Sequence, residues 1–162
     1  MKKGTAMIHH PYTPPAGFAS PAVPVHKGST VFFDNVAAMR SRTWLDRSAY
    51  TYGLHGTPTS FTLEERIATL EGGKHTMLVS SGLAAVTMVD IALLKSGDQV
   101  LLPHNVYGPN KNFTRTELAA WGIHHAIYDA MDASSLAAAI TPATKLVWLE
   151  AAGSVTLEFP DL

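Results

Sequence analysis

From Thr76 onward the chain alternates short strand-like runs with longer helical ones, and this alternation restricts the possible folds more than any other feature. Thr76-Met77-Leu78-Val79 reads as a buried strand and Gly82 to Leu94 as a strongly apolar helix. Gln99-Val100-Leu101-Leu102 reads as a strand ended by Pro103, followed by a loop from Asn105 to Pro109 and a helix to about Trp121. Ile123 to Tyr128 is a further strand, Asp132 opens a helix to Ile140, and Lys145 to Leu149 is a strand. Such a pattern predicts three-layer α/β, with helices covering a mostly parallel sheet. Ligands of these sheets sit at the carboxyl ends of the strands. The loops beginning at Ser80, Pro103, Asp129 and Glu150 are therefore expected to share one edge.

Ser80-Ser81-Gly82 is a small-residue turn that opens directly into the helix. The first N–H groups of a helix lack intrahelical partners and the helix dipole favours negative charge there, so the turn can seat an anion such as phosphate. The plainer alternative is that Ser80 or Ser81 only caps the helix.

Upstream, residues 1 to about 31 carry Pro11, Pro14, Pro15, Pro21 and Pro24, which rule out a helix or a sheet interior. Phe18, Val23, Val25, Val31, Phe32 and Phe33 give this segment apolar anchors, so an extended arm lying across another subunit is expected. Asn35 is placed to cap a short helix, Val36 to Arg40. Tyr50 to Thr59 mixes aromatics, glycines and a proline, the mark of a binding loop. A helix from Thr59 or Ser60 to Glu71 ends at Gly72-Gly73, with Phe61, Leu63, Ile67 and Leu70 near one face and Glu64, Glu65 and Arg66 on a solvated one.

The chain has 162 residues, a formal net charge of -1 and no cysteine. The charge offers nucleic acid no basic face. Without cysteine there is no disulfide, thiol nucleophile or thiolate zinc site. No apolar stretch follows Lys2 and Lys3, and none is long enough to span a bilayer, so a cytoplasmic protein is expected. The pairs His9-His10 and His124-His125 lack supporting carboxylates at ligand spacing, and no metal site is expected. Ser80-Ser81 lacks the Gly-x-Ser-x-Gly elbow of serine hydrolases. Asp90, inside the apolar helix, reads as a helix-face or interface residue.

Five stretches in register resemble the pyridoxal-phosphate-dependent enzymes of cysteine and methionine metabolism. They are Tyr52-Gly53-Leu54-His55-Gly56-Thr57-Pro58-Thr59, Leu70-Glu71-Gly72-Gly73, Ser80-Ser81-Gly82-Leu83-Ala84-Ala85, Asn105-Val106-Tyr107-Gly108-Pro109 and Glu150 to Glu158. The γ-lyases and γ-synthases of the family usually carry Asn-Pro-Thr in the first and last of these. Gly56-Thr57-Pro58-Thr59 and Gly153-Ser154-Val155-Thr156 are more similar to the cystathionine β-lyase branch.

The resemblance implies the large domain of a fold-type I, aspartate-aminotransferase-like enzyme, here incomplete. Residues 1–50 would be the arm and short helix, and 51–162 the first part of the cofactor domain. It implies pyridoxal 5′-phosphate as cofactor, an amino-acid substrate, and a homodimer or homotetramer with a shared active site. Gly82 and Leu83 would give N–H groups to the phosphate and Tyr107 would stack on the pyridine ring. Tyr52 would donate its hydroxyl to the phosphate of a neighbouring subunit, and Ser154 would lie near the ring oxygen and substrate carboxylate. The reaction implied is β-elimination of cystathionine to homocysteine, pyruvate and ammonia, a step of transsulfuration and methionine biosynthesis.

Two departures stand beside the likeness. The family usually has an arginine two residues after the loop tyrosine, where this chain has Leu54, so either His55, Arg42 or Arg47 substitutes or phosphate binding is weaker. No lysine among Lys2, Lys3, Lys27, Lys74, Lys95, Lys111 and Lys145 stands in the context of the one that holds the cofactor covalently. The chain therefore reads as an N-terminal portion with no catalytic residue of its own, Tyr107 and Tyr52 being supporting groups. A second reading, from another class, is a non-catalytic half-domain that associates through its arm and an open sheet edge.

Overall fold

The computed structural model describes residues 5, 16–17, 22–43 and 49–161. Pro11, Pro14, Pro15, Phe18 and Pro21 of the expected arm lie outside them, as do Lys2, Lys3, His9, His10 and Arg47. The chain divides into two compact units, Met1–Leu78 and Val79–Leu162.

In the first unit the expected short helix is present as α1 (Val36–Ser41), with the Asn35 side chain accepting from the Ala38 N–H. Helix α2 (Pro58–Glu71) starts at Pro58, slightly earlier than the sequence suggests. The fixed φ of proline suits the first helical position, and Thr57 and Ser60 close a reciprocal capping box around it. Gly72 ends the helix in the left-handed region at φ 69°, its N–H bonded to the Ala68 carbonyl. Pro24 and His26 of the extended segment dock on Thr59, and the Gly53 N–H donates to the Ser29 carbonyl at 2.7 Å. This part of the arm thus lies across its own chain. A side chain at Gly53 would collide with the Gly28 carbonyl, so only glycine permits that approach.

Three expectations fail here. Glu64 is not on a solvated face: it is buried, and its carboxylate accepts the Leu78 N–H at 3.0 Å. Leu63, placed with the apolar residues, is exposed. Thr76–Val79, expected as a buried strand, joins no sheet among the described residues, and Met77, Leu78 and Val79 are exposed. A strand needs a neighbour for its N–H and C=O groups, and the Glu64 carboxylate supplies one such contact instead.

The second unit contains α3 (Gly82–Leu93), β1 (Gln99–Pro103), α4 (Gly108–Phe113), β2 (His124–Tyr128), α5 (Ala133–Ala139) and β3 (Thr144–Val147). The sheet is parallel with the order β2-β1-β3. Val100, Leu101 and Leu102 of the central strand are fully buried. The core gathers Leu94, Val100, Leu102, Val106, Leu118 and Ile123, with Phe113, Leu146 and Trp148 against it. Helix α3 packs on α4 and β3, and α5 packs on β2. After α4 the helix widens into a π segment, Thr114–Leu118, where sequence periodicity suggested one uninterrupted helix.

Asp90 departs from the helix-face or interface reading. It is 0% exposed, and its Oδ1 accepts the Trp148 indole N–H at 2.9 Å while Oδ2 has no partner among the described residues. Burial raises its pKa, and the Trp148 bond opposes that only in part. Because the native state disfavours the charge, its contribution to stability is full below the ordinary value of 3.8 and is lost as pH rises through the raised one. Asp90→Asn keeps an acceptor for Trp148, so urea midpoints across pH should lose this falling component. Asp90→Ala leaves the indole N–H without its acceptor and should cost about 1–3 kcal/mol at low pH, the difference shrinking as pH rises through the raised pKa.

Candidate functional site

The loops after β1, β2 and β3 meet at the carboxyl edge of the sheet, as parallel pairing of three neighbouring strands requires. His104 and Asn105 leave β1. The His104 Nδ1 accepts the Ala130 N–H at 3.2 Å and lies 3.5 Å from Asp129, while its Nε2 is 3.6 Å from Glu158. The Lys111 ammonium donates to the His104 carbonyl at 2.7 Å. Tyr128 at the end of β2 donates its hydroxyl to the Trp148 carbonyl at 2.6 Å, tying the ends of β2 and β3.

Between the β1 and β3 loops the bonding is denser. The Ser154 N–H donates to the Asn105 carbonyl at 2.9 Å, and the Asn105 side-chain amide donates to Glu158 Oε2 at 3.0 Å. The Tyr107 N–H donates to Glu150 Oε2 at 2.9 Å. Hydrogen bonds from Thr156 and then Asn105 hold the Glu158 pKa below its ordinary value, with His104 adding attraction. Tyr107 and Ser154, two candidates from the sequence, are thus held on loops bonded to each other. Tyr107 is 43% exposed.

At the start of α3, Ser81 is the cap. Its hydroxyl takes the Ala84 N–H at 3.1 Å and its carbonyl the Ala85 N–H at 3.0 Å. The Gly82 and Leu83 N–H groups are hydrogen-bonded to nothing among the described residues. A Cβ on Gly82 would meet no atom within 4 Å, so space lies open beside these donors. Two free N–H groups at the positive end of a helix are what a phosphate dianion needs, and this donor set fits the phosphate end of the expected cofactor.

Tyr52 belongs to the first unit. It is 44% exposed and meets the His55 ring edge-on at 5.8 Å between centroids. Leu54, where an arginine is usual, is 84% exposed. His55 shares a hydrogen bond with the Thr51 hydroxyl at 2.9 Å, and Arg42 donates to the Met39 carbonyl while lying over the Phe33 ring. Both groups are engaged locally.

Sequence reasoning missed Asn105, Glu150 and Glu158 as the connectors of this edge. The signal was available, since all three lie in quoted motifs on loops that follow adjacent strands. No group of His, Asp or Glu able to hold a metal occurs among the described residues. No described helix is long and apolar enough to cross a membrane.

A parallel sheet whose carboxyl edge carries a half-exposed tyrosine, with a helix start whose first N–H groups are unbonded among the described residues, makes this an α/β protein with room for a phosphate-bearing ligand. The family model for Cys/Met metabolism PLP-dependent enzymes matches residues 4–162, and the chain belongs to that family. It is 42% identical over 146 residues to a Rhizobium johnstonii protein provisionally named cystathionine β-lyase, covering 90% of this chain and 35% of that one. Cystathionine β-lyase MetC of Bacillus subtilis is 34% identical over 98% of this chain and 38% of its own length. The mouse cystathionine γ-lyase is 38% identical over 71% of this chain and 29% of its own. The crystal structure of metB from Corynebacterium glutamicum superposes with a TM-score of 0.87 at 30% identity, covering 99% of this chain and 40% of that one. The fold is therefore that of the fold-type I PLP-dependent enzymes, and the chain spans well under half the length of these relatives.

Gly153 is packed so closely that an added Cβ would strike the Asn105 amide, with Asn105 Cγ at 2.6 Å. Gly153→Ala should therefore push the two loops apart. The expected cost is about 1–3 kcal/mol of unfolding free energy, measured by urea denaturation.

Proposed function

We propose that this chain provides the phosphate and ring seat of a PLP-dependent carbon–sulfur lyase of the cystathionine β-lyase type. Its reaction would be β-elimination of cystathionine to homocysteine, pyruvate and ammonia, in the cytoplasm and in the service of methionine biosynthesis. The observation that carries this reading is the pair of unbonded N–H groups at Gly82 and Leu83, on a helix packed against the one that Tyr107 opens.

When bound, pyridoxal 5′-phosphate supplies the electron sink for bond breaking at the substrate α-carbon. The protein's part is binding and orientation. Gly82 and Leu83 hold the phosphate through their N–H groups, and Ser81, by satisfying Ala84 and Ala85, leaves those two donors free. Tyr107 presents its ring to the pyridine ring while Glu150 fixes its main chain. Ser154 serves the ring oxygen and the substrate carboxylate. Tyr52 donates its hydroxyl to the phosphate of a neighbouring subunit in a homodimer or homotetramer. Residues 1–50 act as arm and short helix, and 51–162 as the first part of the cofactor domain.

Two described lysines are engaged elsewhere, Lys111 with the His104 carbonyl and Lys145 with the Pro142 carbonyl at 3.2 Å. With no lysine in the matching context, this chain by itself is inactive as a lyase. The resemblance to a γ-lyase supports a second reading, in which the same seat serves cleavage on the other side of sulfur.

Titration of the chain with pyridoxal 5′-phosphate, followed by absorbance and tryptophan fluorescence, should show saturable binding. Gly82→Pro removes one N–H donor at a position where helices accept proline, and the extended Ser81 backbone, φ -163° and ψ 166°, tolerates a following proline. Affinity should fall about tenfold or more while the far-ultraviolet circular dichroism stays unchanged. A chain extended to its relatives' length should release pyruvate from cystathionine. Release of 2-oxobutyrate instead would move it to the γ-lyase reading, and turnover by this chain alone would overturn the claim that it is inactive.

A further inference from the structure

We propose that Asn105 is a positioning residue that sets Tyr107 and Ser154 in one frame, and so governs the ring end of the site without governing the phosphate end; this rests on the cofactor reading above. Asn105 is only 5% exposed and sits at the point where the loops after β1 and β3 join. Its carbonyl takes the Ser154 N–H and its side-chain amide binds Glu158, so one residue grips the turn at both ends. The turn closes on itself, with the Gly153 N–H on the Glu158 carbonyl at 2.8 Å and the Leu157 N–H on the Gly153 carbonyl at 3.0 Å. Gly153 leaves the space that the Asn105 amide fills. Two residues on, Glu150 holds the Tyr107 N–H from the same β3 loop.

The side chain bears a cost that packing alone does not explain. Asn105 Oδ1 is buried with no hydrogen-bond partner among the described residues. Rotating the amide would set that oxygen against the Glu158 carboxylate, so its orientation is fixed by the one bond it makes. An apolar residue of similar shape would avoid the orphaned acceptor. Keeping the amide is explained if its job is to hold Glu158, and through the Glu158 carbonyl the turn at Gly153 and Ser154, at a set distance from Tyr107. The Gly82 and Leu83 N–H groups take part in none of these bonds. The two ends of the site are therefore separable by experiment.

The test compares binding of pyridoxal 5′-phosphate and of inorganic phosphate by the unsubstituted chain, Asn105→Ala, and the double variant Asn105→Asp with Glu158→Gln. The double variant restores a side-chain hydrogen bond with donor and acceptor exchanged. Amide hydrogen exchange at Ser154 and Tyr107 is measured on the same proteins without ligand. Asn105→Ala should weaken pyridoxal 5′-phosphate about tenfold, leave inorganic phosphate within about twofold, and speed exchange at Ser154. The double variant should recover most of the lost affinity and slow the exchange again. Equal losses for both ligands, or unchanged affinity and exchange in Asn105→Ala, would overturn the proposal. If the unsubstituted chain binds no pyridoxal 5′-phosphate, the cofactor reading fails, and unchanged Ser154 exchange in Asn105→Ala would then reject the positioning role independently.

Discussion

The second unit is organised by the complete burial of β1. Val100, Leu101 and Leu102 are sealed from solvent with a strand hydrogen-bonded on each side. A strand so placed must satisfy its main chain through both ladders, because no water reaches it. That requirement fixes the registers Leu102 with Ile127 and Leu101 with Val147, and with them the relative heights of the loops that follow. Pro103 closes the strand, and the next two residues belong to the site. Tyr128 and Trp148 repeat the registration at the rim through the bond from a phenol hydroxyl to a main-chain carbonyl.

Where the sequence was informative, the information was local. Asn35, Ser81 and Asp132 each cap a helix with a side-chain oxygen, a bond made within three residues along the chain. Gly72 and Gly97 turn the chain through positive φ where a helix or strand must end or begin. The alternation of strands and helices after Gln99 follows from which residues are apolar, and it came through to within a residue or two at most ends. Tyr107 and Ser154 were candidates because they stand inside motifs, and the structure sets them on loops bonded to each other.

What stayed hidden depended on partners distant in the chain. Glu64 looks like one member of a charged helical face until Leu78, fourteen residues on, claims its carboxylate. Asp90 looks like a surface residue until Trp148 arrives across fifty-eight residues. Asn105 and Glu158 carry no mark of their pairing, since neither residue type at its position demands the other. Thr76–Val79 has the composition of a strand, but composition specifies a willingness to pair and no partner. Each failure concerns polar groups or ladder edges, whose cost is set by neighbours that periodicity does not name.

The π segment after α4 has a consequence for how its face is read. Asn110, Thr114 and Leu118 are all buried and lie four residues apart. In a regular α-helix each such step drifts by about 40° around the axis, which would carry the third residue well off the line of the first. The wider turn at Thr114–Leu118 rotates the chain back, so that an amide, a hydroxyl and an isobutyl group form a single inward-facing file. One extra residue per turn thus acts as a phase correction, which lets a spacing foreign to the α-helix serve as a seam.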